Sequence, residues 1–207
     1  MLIRQHRLLV LTIMIHLIVA AIATFLYASL MMAEAEIPDQ PGEKPLISFS
    51  IVEEFSKWRT VNDNVMGGRS LGGGNISDGM LVFSGSLNTR GGGFSSVRRK
   101  MTPGEIKGDG SFIVSLRADG RTYKLIARTD VRFMRRYVSY QATIPVGASG
   151  EWISVRIPFD DFTPTVFGRE IPANRFDPSK VDELGFIIAD EIDGPFSLQV
   201  RSIGVSG

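Results

Sequence analysis

From Leu46 onward the chain is a succession of short apolar runs, and a helical period of 3.6 residues is almost nowhere sustained. Runs rich in Val, Ile, Phe and Tyr recur every 10 to 15 residues, parted by Gly, Asp, Asn and Pro. That spacing argues for an all-β fold. Ser111–Ala118 puts Phe112, Val114 and Leu116 on one face, and residues 121–128 put Tyr123, Leu125 and Ala127 on one face with Lys124 and Arg128 opposite. Asp119-Gly120 between them predicts a hairpin turn. Further strands are predicted at 46–50, 80–84, 94–99, 137–144, 152–158, 184–189 and 196–203, about nine in all. Nine strands suffice for a two-sheet antiparallel β-sandwich of jelly-roll type. Helix is scarce, with one turn expected over 179–184 after Asp177-Pro178.

The N-terminus follows a different pattern. Residues 1–7 are short and basic, and 8–32 form an apolar run broken only by Thr12, His16, Thr24 and Ser29. At about 1.5 Å per residue this hydrophobic helix can span a bilayer. Ala33-Glu34-Ala35 has the form of a signal-peptidase site, but the run exceeds a usual signal-peptide core, which favours an uncleaved membrane anchor. Either reading leaves the domain membrane-anchored or secreted, on the extracytoplasmic side. Translation from Met31 or Met32 would instead give a cytoplasmic protein. The expected organisation is thus signal peptide or anchor over 1–35, a Pro-rich linker over 36–45 and a β-sandwich domain over 46–207.

Composition narrows the chemistry. The chain has 207 residues, 43% of them hydrophobic, enough for one good-sized core. Its 23 basic and 22 acidic residues give no overall field for nucleic acid, so no nucleic-acid partner is expected. There is no cysteine, which excludes disulfides, thiolate metal sites and cysteine nucleophiles. Both histidines, His6 and His16, lie in the leader, so the domain has no Ser-His-Asp triad and no ordinary zinc site. An enzyme here would have to use carboxylates, Lys, Tyr or Ser; no catalytic residue, metal or cofactor is assigned.

Several segments invite chemistry. Gly72-Gly73-Gly74 and Gly91-Gly92-Gly93 lack the context of a phosphate loop and read as turned β-connections. Asp160-Asp161, Asp190 with Glu191 and Asp193, and Asp63 between two asparagines could hold calcium at a sandwich rim, but no EF-hand spacing is present. Solvated carboxylates and Asx-turns are the preferred reading. The segment R-T-D-V-R-F-M-R-R from Arg128 to Arg136 could meet anionic headgroups, RNA or an acidic protein; an exposed hairpin kept soluble by arginine is preferred. Trp58, Trp152, Phe159, Phe162 and Phe196 read as packing rather than sugar platforms.

The most distinctive stretch is W-R-T-V-N-D-N-V-M-G-G-R-S, residues 58–70, which suits neither a helix nor a continuous strand and predicts a structured loop. Together with G-M-L-V-F-S-G-S-L (79–87), G-G-G-F-S-S-V-R (91–98), D-G-R-T-Y (119–123), W-I-S-V-R-I-P-F-D-D-F-T-P (152–164), L-G-F-I-I-A-D (184–190) and G-P-F-S-L-Q-V-R-S-I (194–203), it resembles the complex I intermediate-associated protein 30 (CIA30) family. The resemblance implies a galactose-binding-like β-sandwich without established catalytic activity. It also implies a role as an assembly factor or chaperone-like protein that holds a protein client, such as a respiratory-complex intermediate. The leader lacks the Arg/Ser-rich character of a mitochondrial transit peptide, which leaves the client open. A carbohydrate-binding module that takes glycans outside the cytoplasm is the alternative.

The candidates for partner binding or loop clamping are Asn62, Asp63, Asn64, Met66, Gly67, Gly68, Arg69, Ser70, Phe94, Ser95, Arg98, Asp119, Gly120, Arg121 and Tyr123. As a clamp, Asp63 is expected to pair with Arg69 or Arg98. As contacts, these groups would line one concave rim.

Overall fold

The computed structural model describes residues 45–50, 52–108, 110–147 and 150–206. The leader, with the expected anchor and signal-peptide site, lies outside the described residues, as does nearly all of the linker. Among the described residues no helix is long and apolar enough to cross a membrane.

The described residues form thirteen strands: β1 (Ile47–Ser48), β2 (Trp58–Asn62), β3 (Leu71–Ser77), β4 (Met80–Leu87), β5 (Ser95–Lys100), β6 (Ser111–Ala118), β7 (Tyr123–Phe133), β8 (Arg136–Thr143), β9 (Ile153–Pro158), β10 (Thr163–Val166), β11 (Arg169–Glu170), β12 (Glu183–Ile188) and β13 (Gly194–Ser206). They form two antiparallel sheets, ordered β3-β4-β13-β6-β9 and β11-β10-β8-β7-β12-β5-β2, with β1 paired beside β13. The expected two-sheet sandwich is therefore the observed fold.

Between the sheets lies one core. Phe112, Val114 and Leu116 of β6 face Tyr123, Leu125 and Ala127 of β7 and Leu184, Phe186 and Ile188 of β12, all buried. The long β13 contributes Phe196, Leu198 and Val200, then shifts register between Val200 and Ser202. Strand side chains alternate, so an uninterrupted strand would turn Ser202 inward; the bulge moves Ile203 into the core instead. Aromatic rings fill the end nearest Phe176: Phe112 meets Phe159, Phe162 and Phe176 at centroid distances of 4.9, 5.7 and 6.4 Å.

Four expectations need correction. β6 and β7 lie in different sheets, so Asp119-Gly120 is a crossover between sheets rather than a hairpin. The cause is local: the Asp119 carboxylate accepts bonds from Arg121 N and Tyr123 Oη on one side and Ser197 N of β13 on the other, tying both sheets to one turn. Gly72-Gly73-Gly74 is not a connection but part of β3, and the first five residues of the 58–70 stretch are strand β2. Glycine is required in β3 because the sheets approach closely there: a Cβ on Gly72 would lie 2.1 Å from Ser95 Oγ and 2.8 Å from the Phe196 ring. The helical turn after Asp177 is shorter than expected, Pro178–Lys180, capped by the Asp177 carboxylate on Ser179 N.

Phe112→Ala would remove a ring packed against three others. The expected loss is about 3 to 5 kcal/mol of unfolding free energy, measured by urea denaturation against the parent chain.

Candidate functional site

All the loops that carry the signature residues open at one end of the sandwich. β2, β4, β6 and β12 end there, and β3, β5, β7 and β13 begin there, as their antiparallel registers require. Asn62 closes β2, and Asp63–Met66 form a 3-10 turn that ends at Gly67, whose φ of 89° is left-handed. Gly67 N bonds Asn64 O, and Gly68 N bonds Asp63 O. This reverses the chain so that Ser70 returns to the Asp63 side chain.

The Asp63 carboxylate is sealed from water. Oδ1 accepts Ser70 N at 2.9 Å, and Oδ2 accepts Ser70 Oγ and Gly93 N, each at 2.6 Å. Burial pushes its pKa up, but the bonds from Ser70 and Gly93 outweigh it, so the carboxyl titrates below its ordinary 3.8. Glycines make the pocket possible on both sides. A Cβ on Gly68 would lie 2.2 Å from Asp63 Cγ, and one on Gly92 would lie 2.4 Å from Oδ2. Gly68 of the first loop and Gly92 of the second thus serve one carboxylate.

The clamp continues outward. Asn88 N donates to Ser70 Oγ at 3.0 Å, and Thr89 N donates to Asp193 Oδ1 at 2.6 Å, which binds the 189–193 loop. Asn62 joins the sheets, donating to Gly72 O at 3.0 Å and accepting from Ser95 Oγ at 2.6 Å. Asp63 N bonds Phe94 O at 3.3 Å.

A second staple holds the other side of the rim. Arg121 forms a bidentate pair with Asp190, Nε to Oδ2 at 2.9 Å and Nη2 to Oδ1 at 2.6 Å. Its remaining donors reach the carbonyls of Ile192, Gly194 and Pro195. One guanidinium therefore satisfies an entire loop. Burial pushes the Asp190 pKa up, but the bonds from Arg121 and Ile192 N together with the Arg121 charge outweigh it, and burial followed by the adjacent Asp119 charge pushes the Tyr123 phenol up. Gly120, at φ 88°, makes the turn between Asp119 and Arg121.

The expected Asp63 pairing with Arg69 or Arg98 does not occur. Arg69 is exposed and bonds no described residue. Arg98 points to the outer face of the seven-stranded sheet, where Arg59, Arg98 and Arg128 surround the buried Glu183, at 2.6, 3.5 and 3.4 Å. Burial lowers the Arg98 pKa, opposed by Glu183 and reinforced by Arg59 and Arg128. Arg98 thus stands apart from the rim, which gathers the remaining candidates.

Alternatives read from the sequence find little support in side-chain placement. Asp63, Asp190 and Asp193 spend their oxygens on protein donors, and among the described residues no group of three or more His, Asp or Glu converges on a metal position. The cleft lined by Phe159, Phe162 and Phe176 holds one acid, Asp160, which is paired with Arg175. Trp58, Phe159, Phe162 and Phe196 are core residues, and Trp152 lies between Arg201 and Arg117.

Sequence reasoning missed what the clamps leave outside. Val65, Leu71 and Ile192 stand on the pinned loops with exposures of 70%, 75% and 58%. Arg69, already a candidate, lies exposed between Val65 and Leu71, and Arg90 lies exposed on the 88–94 loop. A large apolar residue within a loop of Gly, Asn and Asp was the available signal.

Asp63→Ala would leave the Ser70 and Gly93 donors buried without an acceptor, with an expected loss of roughly 3 kcal/mol. Because the folded pKa is depressed, the charge contributes fully above the ordinary value of 3.8 and is lost as pH falls through the folded value. Asp63→Asn should therefore flatten the fall in stability below pH 3.8, read by thermal melts across pH.

Comparison with known proteins accords with this construction. The profile of the family described as Complex I intermediate-associated protein 30 (CIA30) matches residues 47–200. The mouse (Mus musculus) mitochondrial complex I intermediate-associated protein 30 is 26% identical over 174 residues, 74% of this chain and 53% of that protein. A probable counterpart from Caenorhabditis elegans is 26% identical over 149 residues, 63% of this chain and 44% of that protein. The chain therefore spans about half the length of the curated relatives it matches. Among solved structures, the family 11 carbohydrate-binding module of a cellulosomal cellulase of Clostridium thermocellum aligns with a TM-score of 0.57 at 15% identity, covering 78% of this chain and 95% of that one. An agarase aligns with a TM-score of 0.51 at 14% identity, over 79% of this chain and 24% of the enzyme. These likenesses establish the fold alone. By the extent of its profile match, and with the signature loops assembled at one end of the sandwich, the chain belongs to the CIA30 family.

Proposed function

We propose that this protein is a non-enzymatic binding protein of the complex I intermediate-associated type, holding a protein client on the clamped rim. One observation carries the reading. The polar groups of the signature are spent on one another, while the segments they fix present Val65, Leu71 and Ile192 to solvent, with exposed Arg69 between Val65 and Leu71 and exposed Arg90 on the adjoining 88–94 loop. Apolar side chains and arginine on rigid loops suit a protein interface, because little conformational entropy is lost when the partner docks. Acid–base chemistry would instead need groups free to exchange protons with a substrate.

The names of the relatives point to a respiratory-complex intermediate as the client. The apolar leader supports a membrane-anchored or secreted protein with its domain on the extracytoplasmic side. Glycan binding would need exposed rings on an open face. On the outer face of the seven-stranded sheet the Tyr137 ring has Arg132 and Arg128 stacked against it, at 3.9 and 5.1 Å, although the residue stays 47% exposed.

Affinity purification of the full chain from detergent-solubilised membranes tests this. Respiratory-complex subunits should co-purify, and Val65→Asp combined with Ile192→Asp should reduce their recovery at least tenfold without lowering the melting temperature. Equal recovery by the variant would move the client off the rim, and retention on polysaccharide in place of protein capture would favour the glycan reading.

A further inference from the structure

At the end of the sandwich opposite the clamped rim, two β-hairpins finish side by side. β7 turns into β8 at Met134-Arg135, and β10 turns into β11 at Phe167-Gly168. All four turn residues are left-handed, with φ of 46°, 66°, 52° and 74°. Such two-residue turns favour Asn and Gly. Met134, Arg135 and Phe167 instead hold large side chains in a conformation disfavoured for them, the kind of local cost retained at functional sites.

The side chains held there face water. Met134 is 83% exposed and Phe167 65%. Arg132, Arg135, Arg136 and Arg169 surround them, all exposed, and none forms an ion pair with a described carboxylate. The nearby acids in these strands are Asp130 and Glu170, so positive charge prevails. Arg136 lies 4.8 Å over the Phe167 ring, joining the two hairpins into one feature. β12 pairs with β7 only as far as Arg128, so beyond that point the β7–β8 hairpin projects without a strand on that side.

We propose that the paired hairpin tips dock on an anionic lipid surface, with Met134 and Phe167 entering the headgroup layer and the four arginines meeting its phosphates and carboxylates. The shape selects this occupant. Apolar residues on convex tips bury little area against a rigid protein, whereas a fluid interface closes around them. The charge selects anionic lipid, since each arginine near such a surface strengthens binding by about fivefold. The site is independent of the client rim.

The chain has no cysteine, so Met134→Cys in the full-length protein gives a single attachment point for an environment-sensitive fluorophore. Val65→Cys provides the same probe at the rim, and the leader is present in every arm. With vesicles of phosphatidylcholine and phosphatidylserine, the label at 134 should brighten and shift to the blue, while the label at 65 should not. Phosphatidylcholine alone should give no shift. Arg135→Glu with Arg136→Glu should weaken the response by about 25-fold or more, and raised salt should also weaken it. No shift at 134, an equal shift on neutral vesicles, or an equal shift at 65 would overturn the proposal. So would the same shift with soluble polyglutamate, which would make the partner an acidic polymer.

Discussion

The sandwich end that carries the signature depends on one sealed carboxylate. Asp63 has no contact with water, and an ionised carboxylate in that position is tolerable only when its oxygens are matched by donors. Ser70 supplies its amide and its hydroxyl, and Gly93 supplies an amide. These partners lie on two loops that the carboxylate ties together, alongside the bond from Asn88 N to Ser70 Oγ. Removing Cβ at Gly68 and Gly92 allows the backbone to close around the carboxylate. Loop order at this end is therefore a consequence of solvating one charge with protein rather than water.

Much of this was legible in the sequence, with a clear physical boundary. Alternation located Phe112, Val114 and Leu116 on β6 and Tyr123, Leu125 and Ala127 on β7, because a two-layer sandwich buries one face of each strand. β2, β3, β10 and β11 escaped notice. β3 holds three consecutive glycines, two of them, Gly72 and Gly74, where a Cβ would press on Ser95 or Val97 of the other sheet, so its apolar alternation is absent. β10 contains Pro164, and β11 has two exposed residues, leaving neither a hydrophobic period. The clamp was visible as a possibility, but its partners were not. Asp63 was matched with arginine on charge, whereas the fold matches it with a hydroxyl and backbone amides, which carry no sequence label.

Arg98 shows the same limit from the other side. Its strand neighbours in sequence suggest the rim, yet alternation in β5 turns it outward, opposite Arg59 and Gly185 in register. There it shares Glu183 with Arg59 and Arg128. Three guanidinium groups around one buried glutamate, with Asp182 taking Arg128 Nε at 2.9 Å, form a layer of charge that covers the sheet. Beneath it Ile126 and Ile187 are buried without belonging to the inter-sheet core.

That layer separates shared fold from shared function. A sheet face that receives a sugar ring must expose flat apolar surface, because stacking requires water to be displaced from both partners. Here the face carries Arg59, Arg98 and Arg128, whose heads are held by Glu183 and Asp182, and its Ile126 and Ile187 are already buried. Uncovering Ile126 or Ile187 for a ligand would break contacts to a glutamate that is itself buried, leaving its charge uncompensated. The face is thus committed to holding the sheet together. The two ends of the sandwich stand apart from this face, one with loops fixed by buried bonds and one with a pair of hairpins closed by left-handed turns.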